Sequence, residues 1–152
     1  MIIKKIKAEK TFELRHPILR KGLPVNSCKF ENDTNSKSLH LGAFEGNKLI
    51  GVISALPNKC NFFHKKKAYQ IRGLAVLEKY RRKGIASALI EKTEIILKEK
   101  YLIDLIWLNS RIIASELYLK NNYISYGEPF DIKISGTHQR FYKFLDLKFI
   151  EK

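Results

Sequence analysis

Three cations and a glycine, Arg81-Arg82-Lys83-Gly84, stand between two segments of different periodicity. Ile71 to Val76 is apolar enough for a buried strand, and from Gly84 onward apolar residues recur at helical spacing. A helix start presents unpaired backbone N–H groups and the positive end of the helix dipole, so this junction suits an anion. Gly84 lets a ligand approach the backbone, Ala86 and Ser87 keep the first turn small, and Arg81, Arg82 and Lys83 add charge-assisted donors. The alternative is a solvated loop, but its cations would repel the dipole they adjoin. A phosphate ligand is therefore expected. The chain has neither G-x-x-x-x-G-K-[ST] nor G-x-G-x-x-G, which excludes a P-loop and a dinucleotide fingerprint.

Other reactive residue types carry less pattern. His138, Glu78 and Asp131 are general-base candidates by type, on equal terms with a water relay, and His138, between the last two strands, otherwise reads as a solvated loop histidine. Cys60 and His64 have a metal-ligand spacing with no second pair to match it, so no metal is expected. His64 to Lys67, "HKKK", reads as a solvated turn, and Phe62, Phe63 and Tyr69 lie close to it. Arg15 and Arg20 could meet a carboxylate, with solvent as their default partner.

The elements that position these residues follow from patterning. At 152 residues the chain is read as one domain spanning 1–152. Hydrophobic residues at 45% and charged residues at 29% exclude disordered and fibrous classes. "MIIKKIK" reads as an edge strand, and "TFELRHPILRKG" as a short helix interrupted by Pro17 and closed by Gly22. Leu23 to Ser38 is turn-rich and polar, a loop. Two apolar runs joined by Glu45-Gly46-Asn47-Lys48 form a β-hairpin. A strand ends at Val76 and a helix runs from about Gly84 to Lys100. Its stripe is Ile85, Leu89, Ile96 with Ala86, Ile90, Leu97, and its wet face is Glu91, Lys92, Glu94 and Lys98. "LIDLIWLN" is a strand, "IIASELYLKNN" a helix ended by Asn121-Asn122, and two strands follow near Tyr123 to Tyr126 and Arg140 to Leu147. Strand-helix-strand alternation requires parallel neighbours, whereas the flanking hairpins are antiparallel.

Net charge is +14, from 29 Lys and Arg against 15 Asp and Glu, which favours a polyanionic partner such as nucleic acid, a membrane surface or a small phosphorylated ligand. A lysine-rich proteome explains the same excess. Two cysteines are too few for a disulfide framework, no signal peptide is evident and no run of about 18 apolar residues occurs. The expected location is the cytoplasm, without membrane association. A homodimer is compatible with the sequence.

Arg81-x-x-Gly84-x-Ala86 after a strand resembles the [RQ]-x-x-G-x-[GA] pyrophosphate loop of the GNAT (GCN5-related) N-acetyltransferases, which bind acetyl-coenzyme A. "LAVLEKYRRKGIASALI" is similar to the whole coenzyme-binding strand-loop-helix of that superfamily, and "ASELYLKNNY", Ala114 to Tyr123, to its later A-x-x-x-Y-x-k-x-G-F helix. Both occur in the family's order and spacing. Asn122 and Tyr123 replace the usual glycine and phenylalanine, and Asn can take the same left-handed cap. The asparagine often found three residues before the motif alanine is Arg111 here, with Asn109 two positions earlier. "LRHPILRKGLP" and "FDIKISGTH" also resemble a bacterial GNAT subgroup without an assigned substrate.

The resemblance implies an α/β (α+β) acyl-CoA N-acyltransferase fold, a mixed central sheet of about seven strands with helices on both faces. It implies that Leu74, Ala75 and Val76 pair with the pantetheine arm, one amide polarising the thioester carbonyl. The pyrophosphate would rest on the amides of Arg82, Lys83, Gly84, Ile85, Ala86 and Ser87, with Arg81 and Lys83 neutralising it. Tyr118 would be the catalytic donor to the departing sulfur, Ala114 would allow close approach to the coenzyme, and Asn109 is the candidate for a pantetheine contact. The implied reaction is acetyl transfer from acetyl-CoA to a primary amine, by direct attack in a ternary complex, with no metal. A coenzyme-binding sensor without turnover, or a basic nucleic-acid module, is the alternative. No nucleic-acid-binding signature accompanies the latter.

Overall fold

The computed structural model describes residues 1–64, 66–133 and 135–145. Its strands are β1 (Ile2–Lys5), β2 (Leu39–Glu45), β3 (Lys48–Leu56), β4 (Ala68–Val76), β5 (Leu105–Arg111), β6 (Ile124–Ile132) and β7 (Gly136–Phe144). Its α-helices are α1 (Ala8–Leu14), α2 (Ile85–Glu99) and α3 (Ser115–Lys120). The strands form one sheet in the order β1-β2-β3-β4-β5-β7-β6, in which β4 and β5 are parallel and all other neighbours antiparallel. The parallel pair is the one joined through α2, as a strand-helix-strand crossover demands.

Central strands β2 and β3 are apolar on both faces because both faces are covered. Ala43 and Ile53 join the cluster under α2 with Leu89, Ile90 and Leu97, whereas Phe44 and Val52 join Leu14 of α1. The stripe on α2 is buried as its spacing predicts. Its wet face departs at Glu94, which is half-buried, accepts the Tyr123 hydroxyl (2.8 Å) and pairs with Lys143 (2.9 Å). Tyr123 and Lys143 lie far along the chain, so helical periodicity alone carries no sign of them.

Three element boundaries differ from the sequence expectation. The first helix passes at Arg15–Leu19 into a π-helical turn that holds Pro17, a residue with no N–H to give a tighter ladder. Strand β5 starts at Leu105, after Leu102 takes a left-handed φ of 54°. The tail hairpin is longer than expected, with Gly127 (φ 71°) and Pro129 in a bulge between Tyr126 and Phe130. An edge strand tolerates both residues. Of the last expected strand, residues 146 and 147 lie outside the described residues.

Strand β4 carries a bulge that shapes the site. Val52 pairs with Ala75 and Ser54 with Arg72, so Gly73 and Leu74 together face Ile53. Gly73 has φ 67°, and a Cβ there would lie 3.0 Å from both Arg15 Nε and the Phe30 ring. Arg15 therefore does not face solvent: it is 0% exposed and packs on the bulge. Its guanidinium donates to Asp33 (2.6 and 3.0 Å), the Cys28 carbonyl (2.8 Å) and Ser54 Oγ (2.8 Å). Ser54 also meets His40 Nδ1 at 2.6 Å, and the Phe30 amide donates to Asp33 (2.9 Å). The polar loop Leu23 to Ser38 is thus tied to the bulge by one buried ion pair. Ser54→Ala strips hydrogen bonds from buried Arg15 and His40 and is expected to cost about 1–3 kcal/mol in urea unfolding. A loss under about 0.5 kcal/mol would show that the network does not depend on it.

Candidate active site

Hydrogen-bond pairing between β4 and β5 covers Ala68–Leu105, Tyr69–Ile106 and Gln70–Trp107 and then stops. Beyond it the strands diverge. Among the described residues the β5-facing edge of β4 from Ile71 onward has no strand partner, which leaves backbone donors and acceptors for an extended ligand arm. The gap opens into a cleft of about 760 Å³. A second hollow of about 150 Å³ lies against the start of α2, and Arg81 lines both.

At the smaller hollow the local geometry favours an anion. No side chain caps α2, and its first intrahelical bond runs from the Ala88 amide to the Gly84 carbonyl (3.0 Å). The amides of Ile85, Ala86 and Ser87 consequently have no helical acceptor. Arg82 (φ 61°) and Gly84 (φ 78°) are both left-handed, and nothing lies within 4 Å of where a Cβ on Gly84 would be. That open space above amides and dipole fits a pyrophosphate. Arg81 Nε donates to the Val76 carbonyl (3.0 Å), fixing the side chain between the two hollows. Ser87 Oγ accepts from Asn121 Nδ2 (3.1 Å), which ties α2 to the end of α3.

The expected residues separate by position. Arg81, Arg82, Gly84, Ile85, Ala86, Ser87 and Val76 line the small hollow; Leu74, Asn109, Ala114 and Tyr118 line the large cleft. Ile85 is buried, so its backbone is what it offers there. Ala75 is buried among Leu14, Phe44 and Leu49 and lines neither hollow, leaving only its backbone available. Lys83 lines neither hollow: its ammonium sits 5.6 Å from the Tyr80 ring.

Tyr118 is 7% exposed, with its ring against Phe141 (5.9 Å) and Tyr123 (5.8 Å). Its hydroxyl has no hydrogen-bond partner among the described residues. Burial pushes that hydroxyl well above the ordinary tyrosine range, so it remains a proton-bearing donor.

Among the base candidates, His138 lines the cleft and Glu78 and Asp131 do not. His138 is a buried residue of β7 rather than a solvated loop histidine. Its Nδ1 lies 2.8 Å from the Gly136 carbonyl. A carbonyl only accepts, so Nδ1 carries a proton, and in the neutral ring this tautomer leaves the lone pair on Nε2. Asp131 is exposed and accepts from Thr137 (2.7 Å), and Glu78 is exposed beside α2. Patterning also passed over Gly73 and Arg72, although a charge and a glycine interrupting an otherwise apolar strand are a bulge signal.

Two other expectations separate in space. Phe62 and Phe63 pack into a cluster with Tyr126, Tyr142 and Phe144, whereas Tyr69 is buried, meets Tyr101 edge-on and donates to the Lys37 carbonyl (2.6 Å). They form no ladder on which bases could stack. Cys60 is buried, burial pushing its thiol up, and His64 is exposed. Among the described residues, no group of three His, Cys, Asp or Glu side chains could hold a metal ion, and no helix is long and apolar enough to cross a membrane.

Residues 5–123 match the Acetyltransferase (GNAT) family. The chain is 37% identical over 143 residues to the uncharacterized N-acetyltransferase YitI of Bacillus subtilis (strain 168), covering 94% of this chain and 95% of that protein. Its fold is shared by an aminoglycoside 6'-N-acetyltransferase complexed with coenzyme A (TM-score 0.75, 14% identity, 96% and 98% of the chains covered). Escherichia coli ElaA shares it too (TM-score 0.75, 12% identity, 94% and 99% covered). With the seven-stranded mixed sheet parted between β4 and β5, these matches identify the chain as a member of the GNAT family, an acetyl-coenzyme A-dependent acyltransferase.

Proposed function

We propose that this chain transfers the acetyl group of acetyl-coenzyme A directly to a primary amine bound in the β4–β5 cleft. The observation that carries this reading is the parting of β4 and β5 between two sets of unpaired donors: the amides at the start of α2 and the Tyr118 hydroxyl. Acetyl-coenzyme A supplies an activated thioester. The chain supplies the rest. Amides of Arg82 to Ser87, with the Arg81 guanidinium, hold the pyrophosphate. The open edge of β4 at Leu74 to Val76 holds the pantetheine arm and polarises the thioester carbonyl through an amide, with Asn109 and Ala114 on the facing wall.

His138 is proposed as the base. Its Nε2 takes the proton that the amine sheds as the new C–N bond forms and the C–S bond breaks, and the Tyr118 hydroxyl donates to the sulfur that leaves. His138→Gln is expected to lower kcat/KM about 100-fold, toward the lower end of what a general base supplies. Unchanged kcat/KM would move the role to a water relay. Cytoplasmic residence accords with Cys28 and Cys60 both being unpaired. Release of coenzyme A thiol with a panel of amines tests the activity, and absence of both thiol release and coenzyme A binding would refute it.

A further inference from the structure

Four arginines, Arg20, Arg72, Arg81 and Arg111, line the large cleft, and no described acidic side chain does. Arg81 lies at the coenzyme end, bonded to Val76. Arg72 differs from an ordinary surface arginine. It is half-buried on β4, beside the bulge at Gly73 and Leu74, and its side chain has no hydrogen bond or ion pair among the described residues. Its guanidinium lies 4.1 Å from the Phe30 ring, and that of Arg20 lies 5.3 Å from the same ring. The buried carboxylate nearby, Asp33, is already occupied by two bonds from Arg15 and one from the Phe30 amide. Burial, then repulsion from Arg20 and Arg15, pushes Arg72 below the usual guanidinium range, with Asp33 and Glu31 only partly offsetting it.

Three guanidiniums gather at the Phe30 ring; that of Arg15 (4.0 Å) is paired with Asp33, whereas the half-buried Arg20 and Arg72 have no acidic partner among the described residues, Arg20 donating only to the Leu19 carbonyl (3.1 Å), so their charge is uncompensated unless something negative joins them. Resting on the acetyl-transfer reading, we infer that the acceptor is a small amine that also carries an oxyanion, a carboxylate or a phosphate, which Arg72 and Arg20 grip. Arg72 is two residues from Leu74, where the thioester is proposed to bind, so anion and amine must be separated by only a few bonds. Polycationic acceptors such as polyamines and aminoglycosides are disfavoured by the same charges.

The test uses conjugates in which the coenzyme A sulfur is joined through an acetyl bridge to the amine of short ω-amino acids of two to six carbons, to their carboxamides, and to aminoalkyl phosphates. Binding is measured by titration calorimetry, so no turnover is required. At the best chain length the carboxylate or the phosphate conjugate should bind at least tenfold tighter than the matched carboxamide, and which of the two prevails identifies the oxyanion. Arg72→Gln and Arg20→Gln should abolish that preference while leaving the affinity for coenzyme A itself within about twofold, and Arg72→Lys should restore part of it. Equal affinities for charged and neutral conjugates in the native protein, at every length, would overturn the inference while leaving the enzyme reading intact. Failure of coenzyme A itself to bind would instead refute the reading on which the inference rests.

Discussion

Gly84→Leu is expected to abolish coenzyme A binding, raising Kd by more than about 1000-fold, a loss of about 4 kcal/mol. The open space over Gly84 is where the added side chain would project, and it is also the space from which a pyrophosphate would reach the amides of Ile85, Ala86 and Ser87. A bulky group there excludes the anion by contact. The domain should nonetheless fold. Beyond the two adjoining residues no atom of the described residues lies within 4 Å of the new Cβ, so the cost is the left-handed φ of 78°, about 1–2 kcal/mol for a residue with a Cβ. In a domain of this size that lowers Tm by about 2–8 °C. Calorimetric titration with coenzyme A beside a thermal melt separates the two effects, and retained affinity would contradict the anion site.

Tyr118→Phe is expected to lower kcat by about 100- to 1000-fold, as removal of a preorganised donor does, and to leave coenzyme A affinity nearly unchanged. The ring should stay in place, because its packing against Phe141 and Tyr123 does not involve the hydroxyl. Against an ordinary thiol near 8.5 and tyrosine near 10, complete proton transfer is uphill by about 2 kcal/mol. Burial pushes Tyr118 higher and makes that transfer harder still. The hydroxyl is therefore expected to act by hydrogen-bonding the departing thiolate rather than by giving up its proton. Because Tyr118 stays protonated above the ordinary tyrosine range, its ionisation should produce no fall in rate as pH rises from 8 to 10.

Legibility in the sequence tracked the range of the interactions. The strand-loop-helix from Ile71 to Lys92 is readable because strand, turn and helix signals are local, and Arg81, Gly84 and Ala86 all line the hollow at the start of α2. The placing of Tyr118 with Ala114 in one cleft wall is legible through their helical spacing and the family resemblance together. The Lys83 ammonium, expected beside the pyrophosphate, turns toward the Tyr80 ring, which a run of cations does not reveal. Arg15 was assigned to solvent because its partners, Cys28, Asp33 and Ser54, lie 13, 18 and 39 residues away. His138 was placed in a loop because "FDIKISGTHQR" is polar and glycine-containing, as an edge hairpin with little apolar burial is bound to be. Its meeting with Tyr118 in one cleft follows from β7 inserting between β5 and β6, a topology that no local pattern encodes.

We propose the β4–β5 cleft, with Tyr118 in its wall, as the place of acetyl transfer to an amine. The most direct test follows coenzyme A thiol release from acetyl-coenzyme A over a panel of amines, with the native protein and Tyr118→Phe side by side at equal coenzyme saturation. Native protein should release thiol with at least one amine at about 100-fold or more the rate of Tyr118→Phe, with one acetylated amine formed for each thiol. A Tyr118→Phe rate within about threefold of native would contradict the account.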